Sequence, residues 1–202
     1  MTDDTIPETV AVPSFSGCSG ATLHLAIDPT EHQRRQDRRA GPVLSPDVLE
    51  TCLSLPHAEA VPWQALTTRQ QNVVRHTPGH VFRITGSRRE PVVTRLLLRP
   101  CRIVRAAVRS ATACATVLGK VTSFAPMCER SLIITRRPRM ETLIEFGFWG
   151  VGLYLDHSGE LETLVEPEPW RPMRHTPAAW RFTEQAYASY LAHTHQIERT
   201  AR

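Results

Sequence analysis

Pro91-Val-Val-Thr-Arg-Leu-Leu-Leu-Arg-Pro100 opens the stretch whose reading decides the fold, and Glu160-Leu-Glu-Thr-Leu-Val165 closes it. The first segment is rich in aliphatic and β-branched residues and ends at a proline, so it reads as a mostly buried strand. From Cys101 to Leu118 the period changes. Ile103, Ala107, Ala111, Cys114 and Leu118 recur at helical spacing, Arg102, Arg105 and Arg109 gather on another side, and Gly119 is the expected stop. Arg130-Ser-Leu-Ile-Ile-Thr-Arg136 is a second buried strand, broken by Arg137-Pro138-Arg139. Glu141 to Trp149 reads as a short helix with Leu143, Ile144 and Phe148 inward. Gly150 to Asp156 is a third strand, turned at His157-Ser158-Gly159-Glu160 into a fourth. Strands alternating with helices need crossover connections, so at least part of the sheet is expected to be parallel.

Working outward, Val81 to Ile84 and Val92 to Leu98 flank Thr85-Gly-Ser-Arg-Arg-Glu90, which has hairpin chemistry and predicts antiparallel pairing. Upstream, Ser45-Pro46 opens a helix that Pro56 ends, and Thr67 caps another over residues 67–75. Such a pair resembles a helix-turn-helix, although packing of both helices against the sheet is the commoner arrangement. Glu31 to Arg39, with Arg34, Arg35, Arg38 and Arg39, is either a solvated helix or a basic arm for nucleic acid. Leu23 to Ile27 is a short strand, and Pro177 to about His195 a final helix with Trp180, Tyr187 or Ala188, and Leu191 facing the body. The expected division is a structureless leader over 1–21, a mostly helical segment over 22–78, an α/β core over 79–169, and a linker with a C-terminal helix over 170–202. The fold class is therefore α/β (α+β), a mixed central sheet flanked by helices with an N-terminal helical addition.

Composition excludes several classes. The chain has 202 residues, 41% of them hydrophobic, which suits one domain with a tail or a small addition. No run of about 18 apolar residues is present, so no membrane partner is expected. The acidic start Met1-Thr-Asp-Asp-Thr5 has no signal-peptide pattern, and the expected location is cytoplasmic. Five cysteines, with no Cys-x-x-Cys, read as reduced and mostly buried thiols. No phosphate loop, nucleophile elbow or dinucleotide fingerprint occurs, and no cofactor, metal ligand set or catalytic residue is assigned.

The order hairpin, strand, helix, strand, helix, Gly-x-Gly strand and closing hairpin over residues 79–167, with Phe146-Gly-Phe-Trp-Gly-Val-Gly-Leu153 before the last pair, resembles the restriction-endonuclease-like PD-(D/E)XK family. That resemblance implies a hairpin aspartate and an acid-x-lysine triplet holding a divalent metal. Carried onto this chain, the aspartate falls near His80 or Arg83. The triplet falls at Thr94-Arg95-Leu96-Leu97, where Arg95 replaces the acid and Leu97 the lysine. The resemblance thus implies a nuclease frame without its metal site.

Charge supplies the functional expectation. Net charge is +4, and Lys120 is the one lysine among 24 Lys and Arg. A GC-rich genome explains that bias, but arginine is also the better phosphate clamp. Arg95, Arg99, Arg102, Arg105, Arg109, Arg136, Arg137 and Arg139 are the candidate nucleic-acid-binding residues; their alternative is pairing with Glu141, Glu145, Glu160, Glu162, Glu166 and Glu168. The leading expectation is a catalytically degenerate nuclease-like domain that binds DNA or a DNA-associated partner. The alternatives are a protein-interaction or regulatory module of a bacterial mobile-element system that uses Trp170, Trp180 and the C-terminal helix, and a divergent metal-dependent nuclease.

Overall fold

The computed structural model describes residues 9–12, 20–171 and 174–200, except the side chains of 198 and 200. In chain order the elements are β1 (Thr9–Val12), β2 (Ala21–Ile27), α1 (Pro29–Asp37), α2 (Pro46–Ser54), β3 (Ala60–Pro62) and a single 3-10 turn (Trp63–Ala65). Next come α3 (Thr68–His76), β4 (Phe82–Gly86), β5 (Pro91–Arg95), β6 (Cys101–Ser110), α4 (Ala115–Thr122) and β7 (Glu129–Ile134). Then follow α5 (Met140–Phe148), β8 (Gly152–His157), β9 (Glu160–Val165) and α6 (Pro177–Thr200). The architecture is mixed α/β, with a six-stranded mixed sheet flanked by helices and a second sheet of three strands. No helix among the described residues is long and apolar enough to cross a membrane.

The chain divides into two compact units. Unit one is Met1–Ile27, Arg102–Met173 and Ser189–Arg202; unit two is Asp28–Cys101 and Arg174–Ala188. Residues 79–169, expected as one α/β core, are therefore shared between the units, and the hairpin joins the N-terminal helices.

Unit one carries the sheet ordered β1-β2-β6-β7-β8-β9. β6, β7 and β8 are parallel, with Val108 opposite Leu132 and Leu132 opposite Leu153, and β8 turns back antiparallel into β9. The helix expected over 101–118 is overturned here, since residues 101–110 are strand β6 and Gly119 lies inside α4. The physical reason is burial on both faces. Ile103, Ala106, Ala107 and Val108 are all buried, and a strand covered on both sides shows no alternation to distinguish it from helical spacing. The leader also departs from expectation. Residues 1–8 and 13–19 lie outside the described residues, but Thr9–Val12 is a strand paired antiparallel with β2, Val12 opposite Leu23.

α5 turns a different side inward from the one expected. Phe146 is fully buried, whereas Ile144 is 66% exposed and Phe148 82%. A Cβ on Gly147 would stand 3.7 Å from Val165, so the helix lies close to β9 on its Leu143–Phe146–Gly147 side. Gly150 (φ 64°) ends α5, and its missing side chain matters because a Cβ there would meet the Glu168 carboxylate at 2.4 Å.

Unit two is organised by a core of Leu49, Cys52, Leu66, Val74, Phe82, Val93, Leu97 and Trp180. β5 is the middle strand of its sheet, antiparallel to β3 on one side and to β4 on the other, with Ile84 opposite Val93 and Val93 opposite Val61. The predicted hairpin is present. Thr67 and Gln70 form a reciprocal capping box at the start of α3. Ser45 sits at the N-cap of α2 with Pro46 next, but its side chain makes no capping hydrogen bond.

Candidate nucleic-acid interface

α3 buries Val74 and turns Thr68, Asn72, Arg75 and His76 outward, residues one and two turns apart that share a face. Arg69, also exposed, pairs with Asp47 and Glu50 of α2. Arg75 is held differently, its guanidinium 4.9 Å above the Trp63 ring. Gln71 ties the helix to the Trp63–Leu66 segment by donating to both of those carbonyls.

The same segment reaches the hairpin, since Gln64 donates to the Arg89 carbonyl. Arg75 and the hairpin tip therefore contact adjacent residues, Trp63 and Gln64. Gly86 (φ 91°) shapes the tip, where a Cβ would lie 2.4 Å from the Glu90 carbonyl oxygen. Ser87 accepts from the Glu90 backbone N–H. Arg83, Arg88 and Arg89 are exposed, and among the described residues none has an ion-pair partner. Helix face and hairpin together offer four arginines and an asparagine, the residue types that clamp phosphate and read base edges.

The eight arginines singled out from sequence do not form one surface. Arg95 and Arg99 belong to unit two, half-buried, with guanidiniums 5.9 and 5.5 Å from the Trp180 ring. Arg95 donates to the Cys52 carbonyl, while its Nε is buried and has no hydrogen-bond partner among the described residues. Burial lowers the pKa of both, and for Arg99 the charge of Arg95 adds to the effect. The other six lie in unit one. As β6 is a strand, Arg105 and Arg109 point to one face and Arg102 to the other, which undoes the helical grouping. Arg105 pairs with Glu129 and Arg109 with Asp156, at 2.8 Å in the second case. Arg137 holds Glu162 at 2.6 Å, and His157 approaches the same carboxylate. The Gly159 N–H and the Arg109 guanidinium keep the Asp156 carboxyl below its usual value; Arg137 and His157 do the same for Glu162. Arg102, Arg136 and Arg139 are exposed without an ion-pair partner among the described residues.

Sequence reasoning missed the polar centre that holds unit two together. Arg35 is fully buried, donating to Glu31 on its own helix at 2.7 Å and to both Glu184 oxygens at 2.7 and 2.8 Å. Its remaining bond goes to the Leu98 carbonyl. Glu184 also accepts from the Val43 N–H and the Trp180 indole, and Arg34 closes on Glu31 from the other side. Burial alone would raise the Glu31 pKa, but the hydrogen bonds and charges of Arg34 and Arg35 outweigh it, and the net shift is downward. The charged segment 31–39 is thus neither a solvated helix nor a basic arm along its inner face. Trp180, expected as part of an exposed contact surface, is 2% exposed.

Cys52, Cys101 and Cys128 are buried and their thiols pushed up to about 12, whereas Cys114 is exposed; Cys18 lies outside the described residues. Among the described residues no three His, Cys, Asp or Glu side chains are placed to hold a metal ion. Compared with protein-family models, with curated proteins and with solved structures, the chain matches none of them.

Proposed function

We propose that the chain binds nucleic acid through unit two, with the outer face of α3 entering a groove of duplex DNA and the β4–β5 hairpin lying along the backbone. One observation carries this reading. A helix exposing Asn72 and Arg75 is tied through the Trp63–Leu66 segment to a hairpin whose Arg83, Arg88 and Arg89 have no acidic partner among the described residues. Helix, then hairpin, on a three-stranded sheet ordered β3-β5-β4 resembles a winged helix, and that likeness supports a reading in which helix side chains reach base edges and the hairpin contacts phosphate. The test is fluorescence anisotropy with a labelled mixed-sequence duplex, comparing the parent chain with Arg88→Ala/Arg89→Ala and Asn72→Ala/Arg75→Ala. The hairpin variant should lose affinity for all sequences, and the helix variant should also lose discrimination between them. Parent-level binding by both variants would overturn the assignment.

Two observations keep other readings in view. The interaction-module reading draws support from α5, where Met140, Ile144 and Phe148 make an exposed apolar stripe at a spacing of four, with Trp149 beside it. The degenerate nuclease frame draws support from unit one, where strand–helix alternation leads into a Gly-x-Gly strand start. Gly152 there is packed so closely that a Cβ would meet Pro167 at 2.9 Å. Plasmid nicking with magnesium or manganese would reveal retained hydrolysis.

A further inference from the structure

Two guanidiniums in unit two are held partly out of water with no acid to meet them. Arg34 and Arg35 close on Glu31 and Glu184. Arg95 and Arg99 are half-buried in the same unit and have no ion-pair partner among the described residues. Both lie against one ring, that of Trp180, at 5.9 and 5.5 Å from its centre. A charge withdrawn from water is ordinarily kept only where an opposite charge faces it.

The ring they share makes the imbalance larger. Trp180 is the fourth residue of α6, and the first turn of that helix carries no acidic residue. Thr176 caps the turn, its hydroxyl accepting from the Ala179 N–H. A helix N-terminus acts as about half a positive charge and favours anions over cations. Glu184, one turn further along, is spent on Arg35, the Trp180 indole and the Val43 N–H. Arg95 does reach the Cys52 carbonyl near the end of α2, but its buried Nε stays unmatched among the described residues. Arg99 has the ring alone and feels the Arg95 charge as repulsion. Two cations and a helix N-terminus therefore meet around one buried indole.

We propose that Arg95, Arg99 and the first turn of α6 hold a phosphate-type oxyanion beside Trp180, either free phosphate or the phosphate group of a small monoester. Planar guanidinium forks meet such an anion with paired hydrogen bonds, and the helix N-terminus adds its own attraction. Arg95 pairs with Phe82, at the end of β5 opposite the hairpin tip. The site is thus separate from the proposed nucleic-acid surface, and its failure would leave that reading untouched.

Thermal unfolding of the full chain in rising sodium phosphate, with sodium chloride keeping ionic strength constant, tests the assignment. Above the dissociation constant, each tenfold rise in phosphate should lift the midpoint by about 3–5 °C. A parallel series with glycerol 3-phosphate distinguishes the two sources, the true ligand acting at the lower concentration. Arg99→Met keeps an apolar stem against Trp180 and removes one of two like charges. This variant should unfold at or above the parent's temperature without phosphate, and should show no phosphate shift. Phenylglyoxal labelling with peptide mapping reads the native parent and needs no variant. Phosphate should protect Arg95 and Arg99 and leave the exposed Arg102 labelled as before. A parent midpoint indifferent to phosphate, a phosphate shift retained by Arg99→Met, or labelling of Arg95 and Arg99 unchanged by phosphate would each overturn the proposal.

Discussion

Replacing Glu184 by glutamine tests whether the buried ion cluster holds unit two together. The side chain keeps its shape, so the experiment isolates charge and hydrogen-bond polarity. Glu184 Oε1 accepts from Arg35 Nη2 at 2.8 Å and the Trp180 indole at 3.0 Å; Oε2 accepts from Arg35 Nη1 at 2.7 Å and the Val43 N–H at 3.0 Å. Glutamine has one carbonyl oxygen, and whichever way it turns, its NH₂ faces two donors. One of these lost bonds is charge-assisted, worth about 1.5–3 kcal/mol, and the other neutral, worth about 0.5–1.5 kcal/mol. The charge balance changes as well, since Arg34 and Arg35 are left with Glu31 alone. Removing one partner of a buried ion pair costs about 3–5 kcal/mol, and the two routes agree. Urea unfolding followed by far-UV circular dichroism and tryptophan fluorescence measures the loss. A further variant, Arg35→Met with Glu184→Met, should lose less than Glu184→Gln alone, because it leaves no guanidinium stranded in the core. A loss below about 1 kcal/mol for Glu184→Gln, or a double variant worse than the single one, would refute the reasoning.

Other consequences are as specific. Arg88→Ala/Arg89→Ala should lower the slope of log Kd against log salt by about 2, since each phosphate contact contributes about 0.9; an unchanged slope removes the hairpin from the interface. Gly86→Ala should destabilise the hairpin by about 1–3 kcal/mol, because a left-handed backbone and the Glu90 carbonyl at 2.4 Å both oppose a Cβ, and thermal unfolding reads the effect. Acid should act in two stages. His24, lowered by burial and by Arg105, and His80 stay neutral in the fold, and stability falls as pH drops below the ordinary histidine value of about 6.5 toward their lower folded values. Glu31, lowered by Arg34 and Arg35 against its burial, contributes stability present above the ordinary glutamate value and lost as pH falls through its folded value. Urea midpoints collected from neutrality downward should show both stages, and Glu31→Gln should reduce the lower one, to which the lowered Asp156 and Glu162 carboxyls also contribute. A thiol reagent followed by peptide mapping should label Cys114 and spare Cys52, Cys101 and Cys128 in the native protein.

Local signals in the sequence survived folding wherever a few neighbouring residues decide the outcome. The Thr67–Gln70 box, the Gly86 turn and the proline at the start of α2 act within one turn of chain, and their elements are present where the residues imply. β6 was misread because its two faces are both covered. Its run of Ile103, Val104, Ala106, Ala107 and Val108 satisfies a helical stripe as well as a strand, and only the parallel neighbour β7 distinguishes them. The face of α5 was misjudged by about one residue's rotation, because Leu143, Ile144, Phe146 and Phe148 nearly encircle a helix of nine residues.

The arginines illustrate a deeper limit. Whether a guanidinium is a phosphate ligand or part of the core depends on where its carboxylate is, and that distance is set by the fold. Arg35 reaches Glu184 across 149 residues, Arg109 reaches Asp156 across 47 and Arg137 reaches Glu162 across 25. Such pairs leave no local mark, so a run of arginines reads as basic even when its members are neutralised. The converse holds for Arg83, Arg88 and Arg89, whose only acidic sequence neighbour is Glu90 and which remain without an ion-pair partner among the described residues. An arginine committed to an exposed ion pair must give up that pair to take a phosphate, a loss of only about 0–1 kcal/mol. An uncommitted arginine releases the counterions that phosphate holds and gives up no existing bond. Under the proposed function, the absence of a carboxylate partner among the described residues favours Arg83, Arg88 and Arg89 of the hairpin over Arg105 and Arg109 of β6, a criterion that Arg102, Arg136 and Arg139 meet as well.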